Sequence, residues 1–175
     1  YMDELRVNIQ DSGEGILVLD GGNFFQGSPL GMVDNGKTMI EWMNRIGYDA
    51  MVPGSYDFIS GAANLNELSK MAIFPFLYSN LNCNNCPLVD SNIKPYIIRE
   101  ISDVKVGILG IVNSQLSELA LAENLSGTDA DKEVLSIRKW VPEMKAKGTE
   151  LIIVLTSSGV PWNREEEYKK FISQI

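Results

Sequence analysis

Three stretches of the chain carry residue types at spacings that could do chemistry. Gly31-Met-Val-Asp-Asn-Gly36-Lys37-Thr38 is a literal match to G-x-x-x-x-G-K-[ST]. In that motif backbone N–H groups cradle phosphates, the lysine reaches them and the hydroxyl meets a magnesium ion. Cys83-Asn84-Asn85-Cys86 has a spacing used by half zinc sites, redox pairs and small disulfides. In LVLDGGNFFQGSP, Leu17 to Pro29, an apolar run stops at Asp20 and two glycines follow, as when a strand delivers a loop to a site. Against all three stands the composition: the chain contains no histidine. The commonest general base and the commonest metal ligand are missing. Neither a Ser-His-Asp nor a Cys-His mechanism can be built from it.

Each stretch has a plainer reading. The phosphate-loop motif needs a strand running directly into its first glycine. Here the preceding strand ends at Asp20, a loop with Pro29 intervenes, and only Leu30 is apolar before Gly31. A chance match is favoured over a P-loop nucleotide binder. A zinc site at Cys83 and Cys86 needs two further Cys or His ligands, which the sequence lacks. A redox pair should open a helix after a strand, whereas this pair lies in an Asn-rich loop before Pro87. A local loop clamp or two free thiols is favoured. The third stretch has two companions, VPGSYDFISG (Val52–Gly61) and VLTSSGV (Val154–Val160), apolar runs that also end in Gly or Ser turns. Alone each is a tight turn; together they lie where sites assemble in open α/β sheets, at strand C-termini.

The elements that would position these turns follow from periodicity. Continuous apolar runs predict buried strands at Gly15–Asp20, Asp49–Pro53, Phe74–Asn80, Tyr96–Ile101, Lys105–Val112 and Glu150–Thr156. The gap Ser102-Asp103-Val104 predicts a hairpin, hence one antiparallel pair. Lys37–Ile46 gathers Met39, Ile40, Met43 and Ile46 on one face and stops at Gly47, a helix with a C-cap. Ser60–Met71 groups Leu65, Leu68 and Met71. Thr128 with Asp131 reads as a capping box opening a helix towards Gly148, with Pro142 expected to kink or divide it. Asn163 with Glu166 predicts a last helix, with Glu165–Lys169 and Glu166–Lys170 as solvated pairs. Alternating strands and helices make the class α/β.

The chain has 175 residues, enough for one α/β domain with a sizeable core. A net charge of −8 argues against an electrostatic grip on nucleic acid or anionic lipid. No apolar run approaches the ~20 residues of a membrane span. Residue 1 is Tyr, so something upstream was removed or the chain is part of a longer one.

Order and spacing of the three turns resemble the metallophosphatase domain of 5′-nucleotidases and UDP-sugar hydrolases, in the calcineurin-like phosphoesterase superfamily. That family reads L-D-x-G-D-x-x-Q-G, then G-Y-D-A-x-x-x-G-N-H-E-F-D-x-G, then L-x-H-x-G. This chain reads LDGGNFFQG, GYDAMVPGSYDFISG and LTSSG. FPFLYSNL and KPYIIREISDVKVGILGI resemble the strands between the second and third motifs. The resemblance covers nearly the whole chain and implies a four-layer αββα sandwich with mixed sheets. It implies a single domain over residues 1–175, with the family's D-x-H before Tyr1, its G-H-x-H beyond Ile175 and no nucleotide-recognition domain.

The family's enzymes hold two divalent metals and activate a bridging water to attack phosphorus. At the positions that match its ligands stand Asn23 for the bridging Asp, Ser55 and Tyr56 for the Asn and His of G-N-H-E, Asp57 for the Glu, and Ser157 for the last His. Asn23 keeps the shape of an aspartate without its charge. Ser55 is too short to replace an amide ligand, and Tyr56, with a pKa near 10, does not replace His. The expectation is a vestigial site with no metal, no cofactor and no catalytic residue. Phe24, Phe25, Tyr56 and Phe58 would line its cleft with Asp20 and Asp57 as carboxylates. Tyr56 is expected to pack into the space of the metals, and the two acids to be separated or solvated. The implied function is an inactive 5′-nucleotidase-like module that binds a protein partner, with no nucleic acid and no membrane insertion. The alternative is an active phosphoesterase with ligands outside this chain. The resemblance implies a periplasmic, extracellular or surface location.

Overall fold

A computed structural model describes residues 2–27, 29–90, 92–158 and 169. In chain order the elements are α1 (Met2–Asp11), β1 (Leu19–Asp20), α2 (Pro29–Val33), α3 (Lys37–Ile46), β2 (Ala50–Met51), a 3-10 turn (Ser55–Phe58) and α4 (Ala62–Met71). Then come β3 (Phe76–Leu77), β4 (Leu81–Cys83), β5 (Ile93–Lys94), β6 (Tyr96–Ile101), β7 (Val104–Ile111), α5 (Leu116–Leu119), α6 (Ala122–Leu125), β8 (Thr128–Ala130), α7 (Glu133–Ala146) and β9 (Leu151–Thr156). The strands β1-β2-β3-β5 make a parallel sheet, β6-β7-β9 a mixed one, and β4 pairs with β8.

Side-chain alternation along the strands builds the four-layer αββα sandwich. Met51 and Phe76 face a core shared with Ile40 and Met43 of α3 and Leu65 and Leu68 of α4. Their neighbours Ala50 and Leu77 face the other way, against Ile97, Val106 and Ile108 of the second sheet. On that sheet's far side Leu109 and Ile111 pack with Ile137 and Met144 of α7. Because successive strand residues point to opposite faces, apolar runs without polar alternation are what strands covered on both sides require. At Gly110 the two sheets approach so closely that a Cβ would lie 2.1 Å from Leu77 Cβ and 2.6 Å from its carbonyl oxygen.

The hairpin forms as its sequence predicts. Ile101 pairs with Val104, and Ser102 (φ 46°) and Asp103 (φ 65°) make the two-residue connection with both φ positive. That twist matches the twist of the flanking strands. Helix α3 also follows its pattern, and Gly47 closes it at φ 76° with its N–H on the Met43 and Asn44 carbonyls.

Two expectations are corrected. Thr128 and Asp131 do not cap a helix: Thr128–Ala130 is strand β8, in register with Leu81–Cys83, and the helix starts at Glu133. A cross-strand partner outweighed the local capping pattern. Pro142 does not divide α7, which runs from Glu133 to Ala146 as one element. Pro142 and Arg138 are both exposed, so the carbonyl that loses its N–H partner can turn to water. The Asn163–Lys170 helix with its Glu165–Lys169 and Glu166–Lys170 pairs lies outside the described residues, apart from Lys169.

Candidate functional site

The loops after β1 and β2 are laced together by one carboxylate. Asp57 is fully buried in the 3-10 turn. Its Oδ1 accepts the Phe24 N–H at 2.9 Å, and its Oδ2 accepts those of Asn23 at 2.7 Å and Gly54 at 2.8 Å. The parallel pairing of Leu19 with Ala50 delivers both loops to the same end of the sheet. Glycines let them meet. A Cβ on Gly54 would lie 2.1 Å from Asn23 Oδ1, and one on Gly22 would lie 2.4 Å from the Gly54 nitrogen. The third loop arrives beside them, since a Cβ on Gly21 would be 3.9 Å from the Thr156 carbonyl oxygen.

Burial pushes the Asp57 carboxyl up to about 7, against the three backbone N–H groups that pull it down, with the nearby Asp20 charge adding to the rise. Asp20 accepts the Gly22 N–H at 2.8 Å and is itself raised by burial, with that bond opposing. The Tyr48 phenol is raised by burial and then by the Asp20 charge. So the site keeps two carboxyls near each other, and one of them is wholly engaged by backbone.

The residues at the family's ligand positions go to structural work. Asn23 sits at φ 63°, a left-handed conformation that Asn tolerates better than most residues, and its Oδ1 accepts the Tyr56 N–H at 3.0 Å. Ser55 is half-buried at the start of the 3-10 turn. Ser157 lies at the end of β9, where its Oγ accepts the Asn113 N–H at 3.2 Å and its own N–H reaches the Ile111 carbonyl at 3.2 Å. Asn23, Tyr56 and Asp57 are thus in direct contact, and Ser157 ties β9 to the chain after β7.

Three details of the expected cleft are corrected. Tyr56 does not fill it: the side chain is 53% exposed. The inward positions of the turn belong to Asp57 and Phe58, both at 0% exposure, so Tyr56 emerges on the outside. Asp57 is not solvated, because backbone N–H groups replace water around it. Phe25 and Phe58 do not line a cleft but belong to the core beneath α3 and α4, with Phe24 packed edge-on against Phe25 at 5.0 Å.

The other two stretches resolve simply. Gly31 lies in α2 and packs on the Phe25 backbone, while Asp34 Oδ2 accepts both the N–H and the hydroxyl of Thr38, at 2.9 and 2.6 Å. No strand leads into Gly31, so this is a helix-to-helix connection rather than a phosphate cradle. Cys83 and Cys86 form a disulfide, the loop clamp.

One structural clasp near the site is not evident from the sequence: Asn80, buried three residues after β3. It donates to the Val112 and Asp131 carbonyls at 2.8 Å each and accepts the Val112 N–H at 3.0 Å. An Asn directly after the apolar run FPFLYS was the available signal.

By themselves, the described loop residues do not supply the donors of a dinuclear metal centre. Two close cations need a shared carboxylate and imidazole or amide donors. Asn23 Oδ1 and both Asp57 oxygens already accept backbone N–H groups, the serine hydroxyls are neutral, and Asp20 alone keeps a carboxylate oxygen uncommitted. Among the described residues no group of three or more His, Cys, Asp or Glu could hold a metal ion.

Comparison with known proteins agrees with the fold. No family model matches the chain. It is 27% identical over 165 residues to a 5′-nucleotidase of Vibrio cholerae, covering 94% of this chain and 30% of that one. It is 32% identical over 161 residues to the snake venom 5′-nucleotidase of Gloydius brevicauda, covering 89% and 26%. The solved 5′-nucleotidase precursor of Thermus thermophilus superposes with a TM-score of 0.77 at 25% identity, covering 86% of this chain and 29% of that one. The chain therefore has 5′-nucleotidases as homologues and spans less than a third of the length of these relatives.

Proposed function

We propose that this chain is a catalytically inactive 5′-nucleotidase-like domain that serves as a binding or scaffold module for a protein partner, and that it acts outside the cytoplasm. One observation carries the reading. The positions matching the family's metal ligands hold Asn23, Ser55, Tyr56 and Ser157, and Asn23 Oδ1 is already engaged by the Tyr56 N–H. The loop glycines and the Asp57 clasp that shape the scaffold stand beside neutral residues at those positions, which supports this reading. The names of relatives from snake venom and from a nucleotidase precursor support export, as does the Cys83–Cys86 disulfide, which persists in oxidising compartments. No helix among the described residues is long and apolar enough to cross a membrane.

A second reading is an active phosphoesterase completed by ligands from outside these 175 residues; the activity printed in the relatives' names favours it, as does the small share of their length that the chain spans. Phosphate release from AMP and from p-nitrophenyl phosphate, with Mn²⁺ or Zn²⁺ added, separates the two. The inactive reading expects release no faster than in buffer with the metal alone. Turnover that appears with metal and disappears with EDTA supports the second reading instead.

A further inference from the structure

A groove of about 430 Å³ runs along β6 and shares no residue with the loop cluster. Its floor is the segment from Lys94 to Arg99, and its wall is Trp140 and Glu143 of α7 with Lys147 directly after that helix. Strand β6 ends its sheet, so one row of its N–H and C=O groups has no strand partner among the described residues. Such an edge is a template for another extended chain.

The wall is pre-formed. The Trp140 indole N–H donates to the Ser79 carbonyl at 3.1 Å, and the ring lies 5.6 Å from that of Tyr96. The Tyr96 hydroxyl donates to Glu143 at 2.5 Å, and Lys147 donates to Glu143 at 2.8 Å and also to the Tyr96 hydroxyl. Glu143 is therefore answered within the wall, and its carboxyl is held below the usual range, first by the bond from Lys147 and then by that from Tyr96. Lys94 and Arg99 are exposed, and neither side chain has a hydrogen-bond or ion-pair partner among the described residues. Lys139 adds a third cation, 4.2 Å from the Trp140 ring centre. On a chain of net charge −8, the groove is a local concentration of positive charge beside two aromatic rings and an open strand edge.

We propose that the β6 edge is a docking site for an extended acidic segment of a partner protein, which adds to the sheet as a strand. Main-chain hydrogen bonds to β6 supply the register. A carboxylate on one face of the segment meets Arg99, one at its end beyond β6 meets Lys94, and an apolar side chain from the other face rests on Tyr96 and Trp140. The proposal deepens the reading as a binding module, and its test does not involve hydrolysis, so either can fail alone.

The probe is an end-blocked eight-residue peptide of alternating Glu and Val, titrated into the 175-residue chain and followed by amide shifts in NMR. Saturable shifts are expected along β6 and at the Trp140 indole. The pair Lys94→Glu and Arg99→Glu, both at exposed positions, should weaken binding at least tenfold with the rest of the spectrum unchanged. The same peptide N-methylated at alternate residues, tested on the natural chain, should lose binding. Three results would overturn the proposal: no binding at millimolar peptide, equal binding of the methylated peptide, or equal binding of the folded double variant. The first would make Lys94 and Arg99 charges that only keep a bare edge from pairing.

Discussion

Asp57 is the residue on which the loop cluster turns. Replacing it by Asn removes one acceptor oxygen and sets an amide donor against backbone N–H groups. A buried group left unsatisfied costs about 1–3 kcal/mol, and Asp57→Asn should lower the urea midpoint accordingly. The same residue gives stability a sign with pH. Its folded-state carboxyl titrates at about 7, above the ordinary 3.8. Between those values the folded chain keeps a proton that the unfolded chain has lost, so stability falls as pH rises from about 4 to about 7. Urea melts across that window should show the decline in the natural chain and its loss in Asp57→Asn; a stability that rises with pH at this residue would contradict the assignment. Lys37 is the opposite case. It is exposed, and the turn around it is held by Asp34 and Thr38. Lys37→Ala should change stability by less than about 0.5 kcal/mol, as surface changes do. ATP affinity that vanished with Lys37 would return the phosphate-loop reading.

At the scale of elements, the contact between the two sheets is set by Gly110. A methyl there meets Leu77 Cβ and backbone at distances no rotamer can relieve. Overpacking costs typically about 1–3 kcal/mol, so Gly110→Ala should sit at or above the top of that range. Gly27→Ala is the control: it meets nothing within 4 Å and carries only the strain of a left-handed φ of 90°, about 1–2 kcal/mol. Equal losses in the two variants would deny the close approach. The same elements explain what the sequence made legible. β6, β7, α3 and their caps were readable because period, turn chemistry and Gly47 agree locally. β8 was not, because its identity as a strand comes from pairing with Leu81–Cys83, 45 or more residues earlier in the chain. At the site, the residue types at the family's ligand positions, Asn23, Ser55, Tyr56 and Ser157, were plain in the sequence. The destination of Tyr56 was not, because it depends on Asp57 and Phe58 occupying the inside of a turn that only the fold closes.

For the whole molecule, the four layers join through three apolar cores, and the loop end of the sandwich is held by groups of the chain itself. Where two cations hold such loops, carboxylates and imidazoles converge on them, and stripping the metal loosens the site. Here backbone N–H groups converge on Asp57, and Asn23 and Ser157 each accept a further N–H. Stability should then be indifferent to metal. A ligand that binds only the folded state at 1,000 times its Kd stabilises by about 4.1 kcal/mol. For a chain of this length each kcal/mol moves Tm by about 2–4 °C. A micromolar site would therefore raise Tm by about 8 °C or more in 1 mM metal. Melting in 1 mM Mn²⁺ or Zn²⁺ should instead agree with melting in EDTA to within about 1 °C, and elemental analysis should find no stoichiometric Zn, Mn, Fe or Ca. A shift of several degrees that is lost in Asp20→Asn would place a cation at the Asp20 carboxylate and overturn the reading of the loops as a self-sufficient scaffold.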